Sequence, residues 1–174
     1  MHTTETVRHE NAPLPATDPR PGKYLVFGVA GEEFGIPVLS VREIMRIQHA
    51  TAVPQAPAFV KGVINLRGKV IPVVDLRLKF GLPEAGHTPR TCIIVVQVQK
   101  EAGLMLMGVI VDEVVEVLNV AAADIEDTPD FGQGVVIPYL LGVAKIKGKV
   151  KILLDIDQVL MINQEVPQLG ALMQ

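Results

Sequence analysis

From residue 24 onward the chain is a series of short apolar runs separated by glycine, proline and polar pairs. Residues 24–29 and 34–38 flank Ala-Gly-Glu-Glu, a hairpin spacing in which Gly31 can take a positive φ. Residues 41–47 alternate apolar and polar, the period of a half-buried strand, until Pro54 and Pro57 end regular pairing. Residues 62–66 and 69–74 predict a second hairpin closed by Arg67-Gly68; Pro72 lacks an N–H and therefore belongs at an edge or bulge. Asp75 precedes Leu76 and Phe80, with Gly81 beyond, the signature of an N-capped helix of one or two turns. A polar linker at 82–90 leads to a strand at 92–99, a turn at 101–103 and a strand from 104 to 110 that continues through 117. A loop at 121–134, a hairpin around Lys147-Gly148, and a C-terminal helix capped by Asp155 and carrying Ile156, Val159, Leu160 and Ile162 complete the pattern.

The pattern occurs twice. Gly62, Gly68, Val70 and Asp75 match Gly142, Gly148, Val150 and Asp155, each 80 positions later and without a gap. Upstream, Val41-Arg42-Glu43-Ile44 resembles Val111-Asp112-Glu113-Val114 at an offset of 70, so the second copy carries about ten extra residues, placed in the 121–134 loop. Two copies, roughly 23–82 and 91–160, are too few for a solenoid and imply two similar subdomains packed together. Many short strands with Gly and Pro turns argue for small barrels, which remove exposed sheet edges.

Composition sharpens this. Hydrophobic residues make up 49% of the 174 and are mostly Val, Ile and Leu, so the chain can fill a core and favours strands. A net charge of -3 with no Trp, two Tyr and five Phe supplies neither a basic field nor stacking platforms, which excludes nucleic acid as a partner. A single cysteine forms no internal disulfide, and Cys92 opens an apolar run, as a buried reduced thiol would. Residues 1–22 hold four prolines and no apolar periodicity; they read as a disordered tail rather than a secretory signal, and residues 164–174 are read as a C-terminal tail. With no apolar run of bilayer length, no membrane insertion is expected and the protein is expected to be cytoplasmic.

No catalytic motif emerges. The segment from Gly62 to Lys69 has five residues between its glycines and Val70 where a phosphate loop needs a hydroxyl. Ser40 lacks the flanking glycines of a nucleophile elbow, and the four histidines never recur at metal-ligand spacing, so neither metal nor cofactor is expected. Asp75 and Asp155 are explained by capping. The chain therefore reads as an interaction module rather than an enzyme; the rival class is a small-ligand-binding barrel, which needs a concave site with convergent polar groups.

The segments Y-L-V-F-G-V, E-E-F-G-I-P-V, V-R-E-I-M, A-P-A-F-V-K-G-V-I-N-L-R-G-K-V-I-P-V-V-D-L-R-L-K-F-G and L-L-D-I-D resemble the CheW family of bacterial chemosensory coupling proteins over residues 23–163. The resemblance implies a mainly β fold of two intertwined, SH3-like, five-stranded β-barrel subdomains with short helices and a C-terminal helix. It also implies a non-catalytic adaptor linking the cytoplasmic tips of methyl-accepting chemotaxis receptors to the regulatory domain of a CheA-type histidine kinase, at membrane-bound receptor arrays. By the same resemblance the receptor meets Arg67, Asn65 and Leu66 of the N-L-R-G turn together with Val41 and Gly62. The kinase is met by pairing opposite subdomains. A coupler for another output, such as pilus-driven twitching, shares this fold and chemistry.

Residue chemistry alone reads Arg67 as a solvated turn arginine and Val41 as core packing. The repeat bears on the first: Asn65-Leu66-Arg67 becomes Lys145-Ile146-Lys147 in the second copy. The hairpin is kept while its side chains change, and arginine offers a planar fork that lysine lacks.

Overall fold

The computed structural model describes residues 18–127 and 137–161. The first copy supplies β1 (Gly22–Val29), β2 (Glu32–Pro37), β3 (Val41–Arg46), β4 (Val60–Leu66), β5 (Lys69–Asp75) and the single-turn α1 (Leu76–Lys79). The second supplies β6 (Cys92–Lys100), β7 (Gly103–Val111), β8 (Glu113–Val120), β9 (Ile125–Glu126), β10 (Leu140–Ile146), β11 (Lys149–Leu154) and α2 (Ile156–Met161). Asp75 caps α1 by accepting from the Arg77 N–H at 2.9 Å, and Asp155 accepts from the Gln158 N–H at 3.3 Å, as the sequence pattern predicts. The β4–β5 and β10–β11 hairpins fall on the same elements at the 80-residue offset, which bears out the repeat.

One sheet has the order β3-β6-β7-β5-β4 and the other β8-β1-β2-β11-β10-β9. The orders correspond strand for strand, except that β9 is a two-residue strand whose counterpart is the isolated bridge between Thr51 and Val63. The first hairpin of each copy is exchanged: β1 and β2 lie in the sheet of β8–β11, while β6 and β7 lie in the sheet of β3–β5. The subdomains are thus not the sequence copies, and their strand counts are five and six. Among the described residues neither ladder closes on itself. The five-stranded sheet is nonetheless rolled up, because Glu43 on one edge strand reaches Arg67 beside the other.

The exchange places the main core between the sheets. Phe27 and Phe34 stack with ring centroids 6.0 Å apart, and Phe34 meets Phe80 at 5.2 Å. Leu76, Ile94, Val96, Val109, Leu154 and Val159 join the same buried cluster. Smaller clusters fill each sheet: Ile64, Ile71, Val73 and Ile93 in one, Tyr24, Ala144 and Leu153 in the other. Each exchanged hairpin is also pinned by a carboxylate from the opposite subdomain. Asp112 accepts from the Ala30 N–H at 2.8 Å, and Asp157 accepts from the Gln99 N–H at 3.2 Å.

Three details depart from the sequence pattern. The stretch 104–117 is not one strand: it breaks at Asp112, where the chain leaves one sheet for the other. The Asp112 N–H donates to the Gly28 carbonyl at 3.0 Å, and its carboxylate takes the Arg77 Nε and Nη2 donors at 3.0 and 2.8 Å. Burial alone would raise that carboxyl's pKa, but the Arg77 guanidinium and the Ala30 N–H hold it below the usual value. Pro72 lies on an inner strand, not an edge, yet pairing with β7 begins only at Val73, so the missing N–H falls just outside that ladder. The expected loop at 121–134 contains a 3-10 turn and β9 before residue 128; Asp124 orders the turn by accepting from the Ala121 N–H at 3.0 Å. The rest of that loop, residues 1–17 of the expected tail, Ile162 and the 164–174 tail lie outside the described residues. Cys92 is partly buried, and burial raises its thiol pKa.

Two predictions follow from this packing. Gly62 has φ +139°, and a Cβ there would lie 2.1 Å from the Thr51 carbonyl oxygen. Gly62→Ala should therefore destabilise the protein by about 2 to 4 kcal/mol in urea unfolding. At Gly142 the tightest neighbours of an added Cβ are the Arg20 guanidinium and the Glu126 carbonyl, both at 3.1 Å. Gly142→Ala should cost about 1 kcal/mol, and equal losses would show that the bulge does not require glycine at 62. The second concerns Lys79, 1% exposed, whose ammonium sits 3.9 Å from the centre of the Phe59 ring. Burial lowers its pKa from 10.5 to about 8. Between those values the unfolded chain holds a proton that the folded chain has shed, so stability should rise with pH across that window, by at most about 1.4 kcal/mol per unit. Urea midpoints measured across it should show the rise in the native chain and its loss in Lys79→Met.

Candidate functional site

The β4–β5 turn contains only Arg67 and Gly68, with φ of 51° and 88°. Positive φ at both positions is the two-residue turn whose twist suits a hairpin, and it puts an arginine where Asn or Gly is easier to accommodate. Gly68 therefore does not supply the turn conformation alone. Asn65 helps: its Oδ1 accepts from the Gly68 N–H at 2.7 Å and closes the turn from inside. The second copy repeats the backbone with Lys147 at 54° and Gly148 at 79°, but has Lys145 where Asn65 caps. Both copies thus hold a long basic side chain in a left-handed turn, at some conformational cost.

The turn projects Arg67 over a shallow depression of about 400 Å3. Arg67 and Leu66 form one wall with Lys69; Arg42 and Glu43 face them from β3, and Leu104 and Leu106 line the β7 side. The Arg67 side chain is 72% exposed and its guanidinium is ion-paired with Glu43. Each group stabilises the other's charge: the bond holds the Glu43 carboxyl below the usual range and raises Arg67. Such an exposed pair contributes little to stability. Arg42 donates to Gln97 on β6. Three cations against one carboxylate leave the depression basic, although the whole chain has a net charge of -3. Leu104, 61% exposed, and Val70, 65% exposed, supply apolar surface on β7 and β5.

The residues singled out from the sequence separate here. Leu66 and Arg67 line the depression; Val41, Gly62 and Asn65 do not. Val41 is half-buried against the main core, Leu66 is 7% exposed, and Gly62 is buried in the bulge between β4 and β5. Gly62, Leu66 and Asn65 help to hold the hairpin, while Val41 packs against the main core from β3. Glu43 was not singled out from the sequence. Its one signal is phase: along β3 it shares the inward face with Val41 and Met45, where an alternating strand should be apolar. The repeat separates the copies further. Glu113, the counterpart of Glu43, pairs with Arg90 at 3.4 Å, and Lys147 makes no ion pair with any described residue.

Comparison with known proteins agrees with this architecture. The profile of the CheW-like domain matches residues 23–163. The chain is 39% identical to the chemotaxis protein CheW of Rhizobium meliloti (strain 1021) over 135 residues, which cover 78% of this chain and 84% of that one. It is 35% identical to the chemotaxis protein CheW of Klebsiella aerogenes over 138 residues, covering 79% and 81%. Among solved structures, the scaffolding protein TtCheW from Thermoanaerobacter tengcongensis superposes with a TM-score of 0.71 at 32% identity, over 83% of this chain and 96% of that one. Exchanged hairpins, the duplicated turn and these matches together place the chain in the CheW family, the scaffolding adaptors of bacterial chemotaxis.

Proposed function

We propose that this protein holds the cytoplasmic tip of a methyl-accepting chemotaxis receptor against the regulatory domain of a CheA-type histidine kinase, and that Arg67 is the receptor-contacting side chain. The observation that carries this is the contrast within the repeat. Both copies build the same strained turn; the first sets its basic residue over a basic, partly apolar depression beside a carboxylate, whereas Lys147 makes no ion pair with any described residue. A receptor carboxylate that takes the place of Glu43 on the Arg67 fork would make charge-assisted hydrogen bonds, with Leu104 and Leu106 receiving apolar neighbours. Val41, Gly62, Asn65 and Leu66 belong to the receptor contact in this reading, and Gly62, Asn65 and Leu66 also help to hold the hairpin. The kinase contact uses a whole subdomain against the opposite subdomain of the kinase domain, and the adaptor works in the cytoplasm without catalytic chemistry of its own. No helix among the described residues is long and apolar enough to cross a membrane.

Arg67→Ala should leave the melting transition within about 0.5 kcal/mol, because an exposed pair is lost and the left-handed turn is retained. Receptor affinity should fall by about 1 to 3 kcal/mol while kinase affinity holds. Lys147→Ala should affect receptor binding much less. Equal receptor affinities for the two variants, or a melting loss large enough to explain the Arg67→Ala defect, would remove Arg67 from the receptor site.

In reconstitution with a CheA-type kinase and receptor-containing membranes, kinase phosphorylation should rise only when all three components are present. Nucleotide turnover by the purified chain alone would overturn the adaptor reading.

A further inference from the structure

A second depression, of about 530 Å3, opens between the loop after β3, the start of β4, the linker after α1 and the end of β7. It shares no lining residue with the Arg67 depression. Ile47, Ala50 and Ile110 give it an apolar floor, and His49, Lys61 and His87 stand around them. The Lys61 ammonium donates to Glu84 Oε2 at 2.7 Å. That bond first, and the field of His87 last, keep the Glu84 carboxyl below its usual pKa, so His87 lies close to the pair. Asp75 is buried behind Lys61, where burial raises its pKa against its helix-capping hydrogen bonds and the weaker pull of Lys61.

Lys61 and Glu84 balance each other, and the two imidazoles stand beside them as further N–H donors. Both are exposed, and neither hydrogen-bonds to a described residue. Together with Glu84 they do not assemble into a metal-binding group among the described residues. What converges here is a set of N–H donors over an apolar floor, an arrangement suited to orienting an amphipathic anion.

We infer that this depression binds a carboxylate borne on a short apolar body. The carboxylate takes N–H donors from His49, His87 and Lys61, and the body rests on Ile47, Ala50 and Ile110. A free organic acid and an acidic side chain of a docked protein present the same chemistry.

The test follows the imidazole signals of His49 and His87 in the full chain by NMR during titration with sodium butyrate, with sodium chloride at matched ionic strength as reference. A parallel titration uses N-acetylglutamate amide as the side-chain surrogate. Saturable shifts at both imidazoles in the millimolar range are expected with one or both acids. Saturation by butyrate alone identifies a free acid as the ligand, and saturation by the glutamate derivative alone identifies a side chain. His49→Ala and His87→Ala, both at exposed positions, should each weaken binding by about tenfold and leave the melting transition unchanged. Non-saturating shifts, shifts reproduced by chloride, or unchanged binding in both variants would overturn the inference.

Discussion

The structure depends on one constraint: neither sequence copy can bury its apolar strands alone, so each lends its first hairpin to the other. Phe27 and Phe34 travel with the hairpin of the first copy into the six-stranded sheet, where Phe34 meets Phe80, the C-cap of the first copy's own helix. The main core is therefore made from both copies at once, and separating the subdomains would expose it. Asp112 and Asp157 then fix where the exchanged hairpins sit, because each carboxylate satisfies a backbone donor across the junction.

The same framework carries the Arg67 turn. A two-residue turn with both φ angles positive tolerates an arginine poorly, and its place over the depression is maintained by groups beneath it. Asn65 closes the turn, Leu66 anchors the strand, and the Gly62 bulge brings Thr51 alongside Val63. Most of the conserving architecture around the turn is thus invisible at the surface, while the exposed chemistry comes down to Arg67, Glu43 and their basic and apolar neighbours. The second copy shows what the hairpin becomes without that setting: the same backbone, with a lysine that has no carboxylate partner among the described residues.

Much of this was legible in local sequence signals. The Arg67-Gly68 and Lys147-Gly148 turns, the caps at Asp75 and Asp155 and the 80-residue repeat rest on neighbouring residues or on direct comparison of two segments. These are short-range constraints, set by φ preferences and capping geometry, and they survive whatever the rest of the chain does. The resemblance carried by the N-L-R-G and P-V-V-D-L segments pointed to the same family that the comparisons show.

What tertiary structure alone decided is which distant pieces meet. A repeat fixes that two subdomains exist but says nothing about whether hairpins stay home or exchange, because β1 pairs equally well, by pattern, with either equivalent edge. The break at Asp112 was hidden within an apolar run, since a residue whose carboxylate takes Arg77 and Ala30 donors while its N–H donates to Gly28 has no sequence period. At Gly62 the Thr51 carbonyl leaves no room for a side chain, a constraint that neighbouring residues do not reveal. Glu43 on one edge strand and Arg67 in the turn that ends the other lie 24 positions apart, and only the rolling of the sheet brings them into one ion pair. Local conformation is written in neighbouring residues, but pairing across a curved sheet is set by the burial of the whole core.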